Sequence, residues 1–385
     1  MEQRFDRLGG VIALLLAAAL ASPFVTYRVN RIAAGTGKSL FAMGGAASGW
    51  QLLGLVLVLL LTIGLVLLRN GPWLRLGAAV AALGALGVAL GEAATQLASS
   101  GSPYARIAPA SGFWLAFFAL LILLADAMVR LRLSPWARLA GVVLGAGVLA
   151  LFLGSGVWRD LSVLKEYATR AGDFWREGAT HLELALGSLA LAILAGLPLG
   201  ILVERVKPLR GPVLGVLNAV QTIPSIALFG MLIAPLAWLA ARIPVLGVLG
   251  IAGIGIAPAF IALFFYSLLP MVANTLTGIT QVSADVVDAA RGMGLSRRQL
   301  FWQIELPLAL PVILTGIRVV LVQNIGLATI AALIGGGGLG VFIFQGIGQT
   351  ASDLILLGTI PTVVLALGAA VVMDALIAFS TRGRP

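Results

Sequence analysis

Apolar runs of about twenty residues recur along the whole chain, parted by short polar or glycine- and proline-rich stretches. A helix needs about that length to cross a hydrocarbon layer ~30 Å thick. The runs fall at 9–24, 50–68, 72–91, 112–129 and 137–157, then at 183–202, 213–234, 244–268, 311–333 and 355–379. The short alternating segments of an outer-membrane barrel are absent. The pattern predicts an all-α, polytopic membrane protein of about ten transmembrane helices.

The spacing of polar stretches predicts three regions. Residues 1–157 form an N-terminal membrane region of about five helices joined by simple polar turns. Residues 158–182, opening "WRDLSVLKEYATRAGDFWREGATH", are a polar linker or interfacial helix, with Leu161, Leu164, Tyr167 and Ala168 on one face. Residues 183–380 form a second membrane region with breakers inside its spans, among them Pro224, Gly250, Gly253, Gly255, Pro258 and Pro270. These residues suit either a bending passage or ordinary close helix packing. The first run, "MEQRFDRLGGVIALLLAAALASPF", reads as an uncleaved helix or as a cleaved secretory signal.

Composition narrows the classes. The chain has 385 residues, 60% hydrophobic and 10% charged, against about 25% charged in soluble domains. Its net charge of +10 lies in short clusters between apolar runs, the distribution of the positive-inside rule rather than of a nucleic-acid binder. Placing 286–311 in the cytoplasm puts fifteen basic residues inside, including Arg4, Arg7, Arg69, Arg75, Arg130, Arg382 and Arg384, and nine outside. Both termini are then cytoplasmic. The first outer loop, "TYRVNRIAAGTGKS", breaks the rule. Without cysteine, and with His181 as the one histidine, disulfides, thiolate chemistry and a histidine-rich metal site are excluded. His181 is expected at the surface, one helical turn from Glu177.

Polar residues inside apolar spans mark the next candidates, because each needs a partner in hydrocarbon. Gln221, Thr222, Pro224 and Ser225 interrupt one such run and Asn324 lies in another, so each suits a place against other helices or a watery path. The "GGGG" run lacks the Lys-Ser or Lys-Thr of a phosphate loop and reads as a turn or re-entrant bend. Arg318 lies deep in its span and either snorkels or pairs with an acid across the bundle; Asp126 and Asp374 lie near span ends, within reach of headgroups.

One segment differs in kind. "SADVVDAARGMGLSRRQLFWQIELPLALP" reads as a helix, a glycine break at Gly292 and Gly294, and a second helix capped by Ser296 and ended by Leu306 and Pro307. Its apolar stripe beside Arg297 and Arg298 suits docking to a protein groove or to anionic headgroups. The segment resembles the "EAA" loop of the membrane subunits of binding-protein-dependent ABC importers: an acid-Ala-Ala at Asp288, Ala289 and Ala290, then Gly294, then Ile304, Leu306 and Pro307. Asp288 stands where the family usually has Glu. Residues 180–380 further resemble permeases of the osmoprotectant (glycine betaine, choline, carnitine) type, through "NAVQTIPSIALFG", "PMVANTLTGI" and "AALIGGGGLGVFIFQGI". The extended N-terminal half is similar to a longer branch of that family.

The resemblance implies a MetI-like ABC importer permease module over 183–380, with a cytoplasmic coupling loop at 285–307. Arg291, Arg297 and Arg298 join the motif residues as contacts to a cytoplasmic ABC ATPase, and the resemblance implies Gln221, Thr222, Pro224, Ser225, Asn324, Gly335, Gly336, Gly337 and Gly338 as candidates for the pathway or gate. ATP and Mg would be bound by that partner and no cofactor by this chain, which is no enzyme. It also implies an extracytoplasmic solute-binding protein, a second permease copy, no nucleic acid, and a bacterial inner-membrane location with a cytoplasmic C-terminus. A standalone ion-coupled transporter or channel, or a non-transporting anchor or sensor subunit, are the alternatives.

Overall fold

The computed structural model describes residues 6–44, 50–68, 70–99, 101–102, 104–243, 245, 247 and 250–381. Arg4, Arg69, Arg382 and Arg384, counted above in the charge asymmetry, lie outside the described residues. Among the described residues, nine helices are long and apolar enough to span a bilayer, and a tenth apolar helix is shorter. The chain divides into two compact units, residues 1–169 with 351–353, and residues 170–350 with 354–385.

The first unit contains α1 (Arg7–Ala21), α2 (Leu40–Gly44), α3 (Trp50–Leu67), α4 (Pro72–Ser99), α5 (Ser111–Leu131) and α6 (Pro135–Gly154). Asp6 caps α1 by accepting from the Leu8 N–H at 3.1 Å. Ser134 caps α6 in front of Pro135, where proline loses no helical hydrogen bond. Ile12, Leu16, Leu52, Leu59, Leu86 and Leu120 close a core in which α1 and α4 each pack on α3 and α5. Along α6 only Pro135 is buried, so its apolar residues face outward.

One set of ends of these helices is tied by a buried ion cluster. Arg75 has no solvent-exposed surface and reaches Asp6 at 2.6 Å and Asp126 at 2.8 Å. Arg130 bonds both acids, at 2.9 and 2.8 Å. Asp126 is thus engaged inside the unit, not in reaching headgroups. Burial alone would raise the Asp6 pKa; the charge and hydrogen bond of Arg75, with the charge of Arg130, outweigh that and hold it below the ordinary carboxylate value.

At the other end the expected simple turns include a small antiparallel sheet, order β2-β1-β3, from Val25–Arg28 (β1), Thr36–Lys38 (β2) and Arg106–Pro109 (β3). Val25 pairs with Lys38 on one side and Pro109 on the other. This sheet gives the basic outer loop its physical account. Arg31 and Arg106 lie 2.6 and 2.9 Å from the buried carboxylate of Glu166, and both approach Asp353 within 3.6 Å. Arg31 of the loop is held in an ion-pair network and does not stand as free positive charge.

Residues 162–182, expected as a linker or surface helix, belong to the 44-residue α7 (Ser162–Arg205), whose single non-helical residue is Arg170. The second unit continues with α8 (Lys207–Thr222), α9 (Ser225–Met231), α10 (Ile233–Arg242), α11 (Ile256–Thr280), α12 (Ala284–Gly292), α13 (Arg297–Leu300), α14 (Leu306–Leu327), α15 (Gly340–Gly348) and α16 (Ser352–Thr381). The predicted span at 213–234 is broken: Pro224 forces Ile223 into an extended conformation (ψ 127°) and ends α8. The spanning segment is Ser225–Arg242 instead, and the next lies at Ile256–Thr280 rather than 244–268.

α11 is the centre of this unit. Gly187, Gly196 and Gly200 of α7 bring that helix against Phe260, Met271 and Thr275; a Cβ at any of them would lie 2.6–2.7 Å from those side chains. Gly316 does the same for α14 against Asn274. Small residues at such seams permit the close backbone approach on which packing in lipid depends. Arg318 pairs with Asp374 at 2.5 Å, which answers the choice left open between snorkelling and pairing.

Candidate functional site

The segment 283–307 folds as a helix–turn–helix elbow. α12 ends in a Schellman turn: the Leu295 N–H bonds the Ala290 carbonyl at 3.3 Å, and the Gly294 N–H bonds the Arg291 carbonyl at 2.9 Å. Gly294 has φ +83°, which is why the motif needs glycine here. Ser296 and Gln299 then form a reciprocal capping box that starts α13. Ala290 and Leu300 are buried and Phe301 half-buried, so the apolar stripe closes the elbow on itself.

What remains outward is mostly polar and basic, with Met293 and Trp302 exposed among it. Asp288, Ala289, Arg291, Gly294, Arg297 and Arg298 are exposed. Asp288 and Arg291 form an exposed i,i+3 pair at 3.2 Å. Arg298, Gln299, Trp302 and Gln303 line a shallow open hollow with Ser296, and Trp302 is 59% exposed. Ile304, Leu306 and Pro307 are half-buried. Pro307 does not end the element, as its type suggested. A wide turn at Phe301–Glu305, closed by the Leu306 N–H on the Phe301 carbonyl, precedes it, and the helix runs on through α14. The wider turn accommodates a residue that has no N–H and crowds the carbonyl four residues back. The ninth span therefore begins at Leu306 rather than 311.

Reading the polar candidates alone missed Glu305. Its carboxylate is 6% exposed and is salt-bridged by Arg205, the last residue of α7, which also contacts Glu204 at 3.1 Å. The available signal was an acid inside the motif and an arginine closing an earlier span, both at the same predicted membrane face.

The pathway candidates do not converge on one open site. Gln221, at the end of α8, donates to the Tyr266 carbonyl at 2.8 Å, and the Tyr266 hydroxyl donates to the Ile223 carbonyl. Thr222 is exposed and bonds the Ala219 carbonyl; Pro224 is exposed and Ser225 half-buried at the break. Asn324 is fully enclosed: its amide bonds Ser188 and Ser267, both at 2.9 Å, and ties α7, α11 and α14 together. In this conformation it lines no opening.

Gly335, Gly336, Gly337 and Gly338 form a tight turn between a 3-10 segment (Ile330–Ile334) and α15. Gly335, Gly337 and Gly338 have φ of +75°, +73° and +86°. The turn seats on α7: the Gly338 N–H donates to Glu177 at 2.8 Å, and a Cβ on Gly337 would lie 2.9 Å from the same carboxylate. A Cβ on Gly338 would lie 3.3 Å from the His181 ring. His181 is fully buried, which overturns its expected surface position; its helical face is covered by this turn. Among the described residues no group of three or more His, Cys, Asp or Glu is placed to hold a metal.

An all-α bundle of spanning helices with a folded helix–turn–helix elbow defines a multi-pass membrane protein. Residues 192–384 match the family described as "Binding-protein-dependent transport system inner membrane component", and the chain belongs to that family. Residues 6–164 match a second family, "ABC transporter permease YehY, N-terminal domain". The chain is 37% identical over 214 residues to the choline transport system permease protein OpuBB of Bacillus subtilis, covering 56% of this chain and 89% of that one. It is 42% identical over 191 residues to the osmoprotectant import permease protein OsmW of Salmonella typhimurium, covering 49% and 82%. Among solved structures, the inward-facing MetNI methionine ABC transporter is similar at TM-score 0.48 and 21% identity, over 55% of this chain and 98% of that one. The protein is a multi-pass inner-membrane permease subunit of an ABC importer, a translocation component and not itself catalytic.

Proposed function

We propose that this chain moves a small osmoprotectant, glycine betaine or a related quaternary amine, through an ATP-driven importer, with its elbow docked in a separate cytoplasmic ATPase. The observation that carries the reading is the elbow: Asp288, Ala289, Ala290, Gly294, Ile304, Leu306 and Pro307 stand at the family spacing, on a capped scaffold that turns Arg291, Arg297 and Arg298 outward. Exposed basic side chains around an exposed tryptophan suit a protein groove, where aromatic and arginine anchors buried on binding dominate affinity. The substrate class is supported by relatives named for choline and for osmoprotectants.

In this reading the partner ATPase binds ATP and Mg, and an extracytoplasmic protein delivers solute. Two copies of this chain serve a twofold ATPase pair, because each carries one elbow. The C-terminus is cytoplasmic, on the elbow's side of the membrane. Gln221, Thr222, Pro224, Ser225 and the glycine turn at 335–338 lie nearest the moving pathway. Proteoliposomes holding the permease, its ATPase and its binding protein should take up labelled choline or glycine betaine only with ATP inside the compartment facing the elbow. Uptake without an ATPase would support an ion-coupled carrier instead.

A further inference from the structure

Two polar clamps grip α7, one at its C-terminal end and one within it, beyond the break at Arg170. At its C-terminal end Arg205 holds the buried carboxylate of Glu305, within the elbow. Twenty-eight residues earlier in the same helix, Glu177 accepts the Gly338 N–H and fixes the glycine turn. At 1.5 Å per residue the clamps are about 42 Å apart, more than the ~30 Å hydrocarbon layer. Opening the first clamp would strand the carboxylate of Glu305, which is 6% exposed although Arg205 itself is 44% exposed, and opening the second would leave the Gly338 N–H without its acceptor. The exposed Asp288–Arg291 pair has no such constraint.

The glycine turn is shaped to its seat. Gly337 fits against Glu177 and Thr180, and Gly338 against His181, in backbone conformations that other residues rarely adopt. A shift of α7 therefore cannot leave the turn behind without breaking a close steric fit. We propose that α7 transmits elbow movement to the glycine turn through these clamps, making Glu305, Arg205 and Glu177 positioning residues of transport. The inference rests on the elbow docking an ATPase and adds how that motion reaches the far side of the same unit.

The chain has no cysteine, so Leu333→Cys, two residues before the turn and 48% exposed in the parent residue, gives a background-free label next to the turn. The assembled importer is reconstituted in liposomes, and ATPase capture, uptake per ATP hydrolysed and reporter labelling with and without ATP are measured. Glu305→Leu fills the buried site without the charge. It should retain capture within about twofold, lower uptake per ATP at least tenfold, and abolish the ATP-dependent change in labelling. Glu177→Ala should uncouple from the other clamp in the same way. The exchange Arg205→Glu with Glu305→Arg should restore at least half the parental uptake. Unchanged uptake per ATP in Glu305→Leu, joint loss of capture and uptake, or no recovery in the exchange overturns the proposal. Failure of the parent itself to capture an ATPase would refute the functional reading beneath it, a separate result.

Discussion

Replacing Gly294 tests the elbow's architecture with a calculable perturbation. The residue sits at φ +83°, and a Cβ built on it meets no atom within 4 Å. The cost of substitution is therefore backbone strain and not collision. For an alanine in this region the strain is about 1–2 kcal/mol, roughly a 5- to 30-fold change in an equilibrium constant. The Schellman bonds at Ala290 and Arg291 are made only in this conformation, so the strained elbow relaxes out of it whenever it is not held. Titrating solubilised permease with its ATPase should give weakening in the order glycine, asparagine, alanine, valine. Asparagine tolerates the left-handed region and a β-branched residue tolerates it least. Alanine and leucine should be alike, since there is open space for either within this chain. A neutral Gly294→Ala, or an asparagine variant as weak as valine, would refute the strain argument.

Further outcomes follow from the buried polar groups and the tight glycines. Arg75→Leu removes the buried arginine and leaves Asp6 and Asp126 to share Arg130 alone; it should cost about 1.5–3 kcal/mol of stability, the range for a lost hydrogen bond to a charged group, measured as unfolding in detergent by circular dichroism. Because the Asp6 pKa is depressed, its contribution is present above the ordinary carboxylate value and is lost as pH falls through the lowered one; Asp6→Asn should flatten that acid-side loss in a melting series. Asn324→Ala leaves Ser188 and Ser267 bonded to the Leu184 and Leu263 carbonyls, so it should cost only about 0.6–1.7 kcal/mol. Abolished uptake at unchanged stability would make Asn324 a pathway residue after all. Gly340→Ala places a Cβ 1.9 Å from the Thr329 carbonyl oxygen, and should destabilise the glycine turn and cut uptake, while Gly348→Ala, with open space, should leave both intact.

Much of this architecture was legible because lipid imposes a simple rule: apolar runs of sufficient length become helices. The rule weakens wherever local backbone chemistry competes. Pro224 split one predicted span, and Pro307 failed to end the elbow's second helix because the turn before it widened. The elbow was readable residue by residue, since Gly294 and Ser296 act locally. Glu305 with Arg205, and Arg31 and Arg106 with Glu166, depend on pairs 60 to 135 residues apart in some cases and about 100 in another, which no local spacing encodes. His181 was misplaced for the same reason: its cover comes from the distant glycine turn at 335–338.

Cross-linking from the elbow tests the central claim most directly. With Arg297→Cys as the sole thiol of an otherwise cysteine-free chain, the assembled importer is treated with a short thiol-reactive crosslinker, with and without ATP. The account expects a specific adduct between this position and the ATPase, together with protection of the thiol from membrane-impermeant reagent added outside intact cells. An ATPase that co-purifies without any adduct here, or a thiol labelled from the outside, would contradict it.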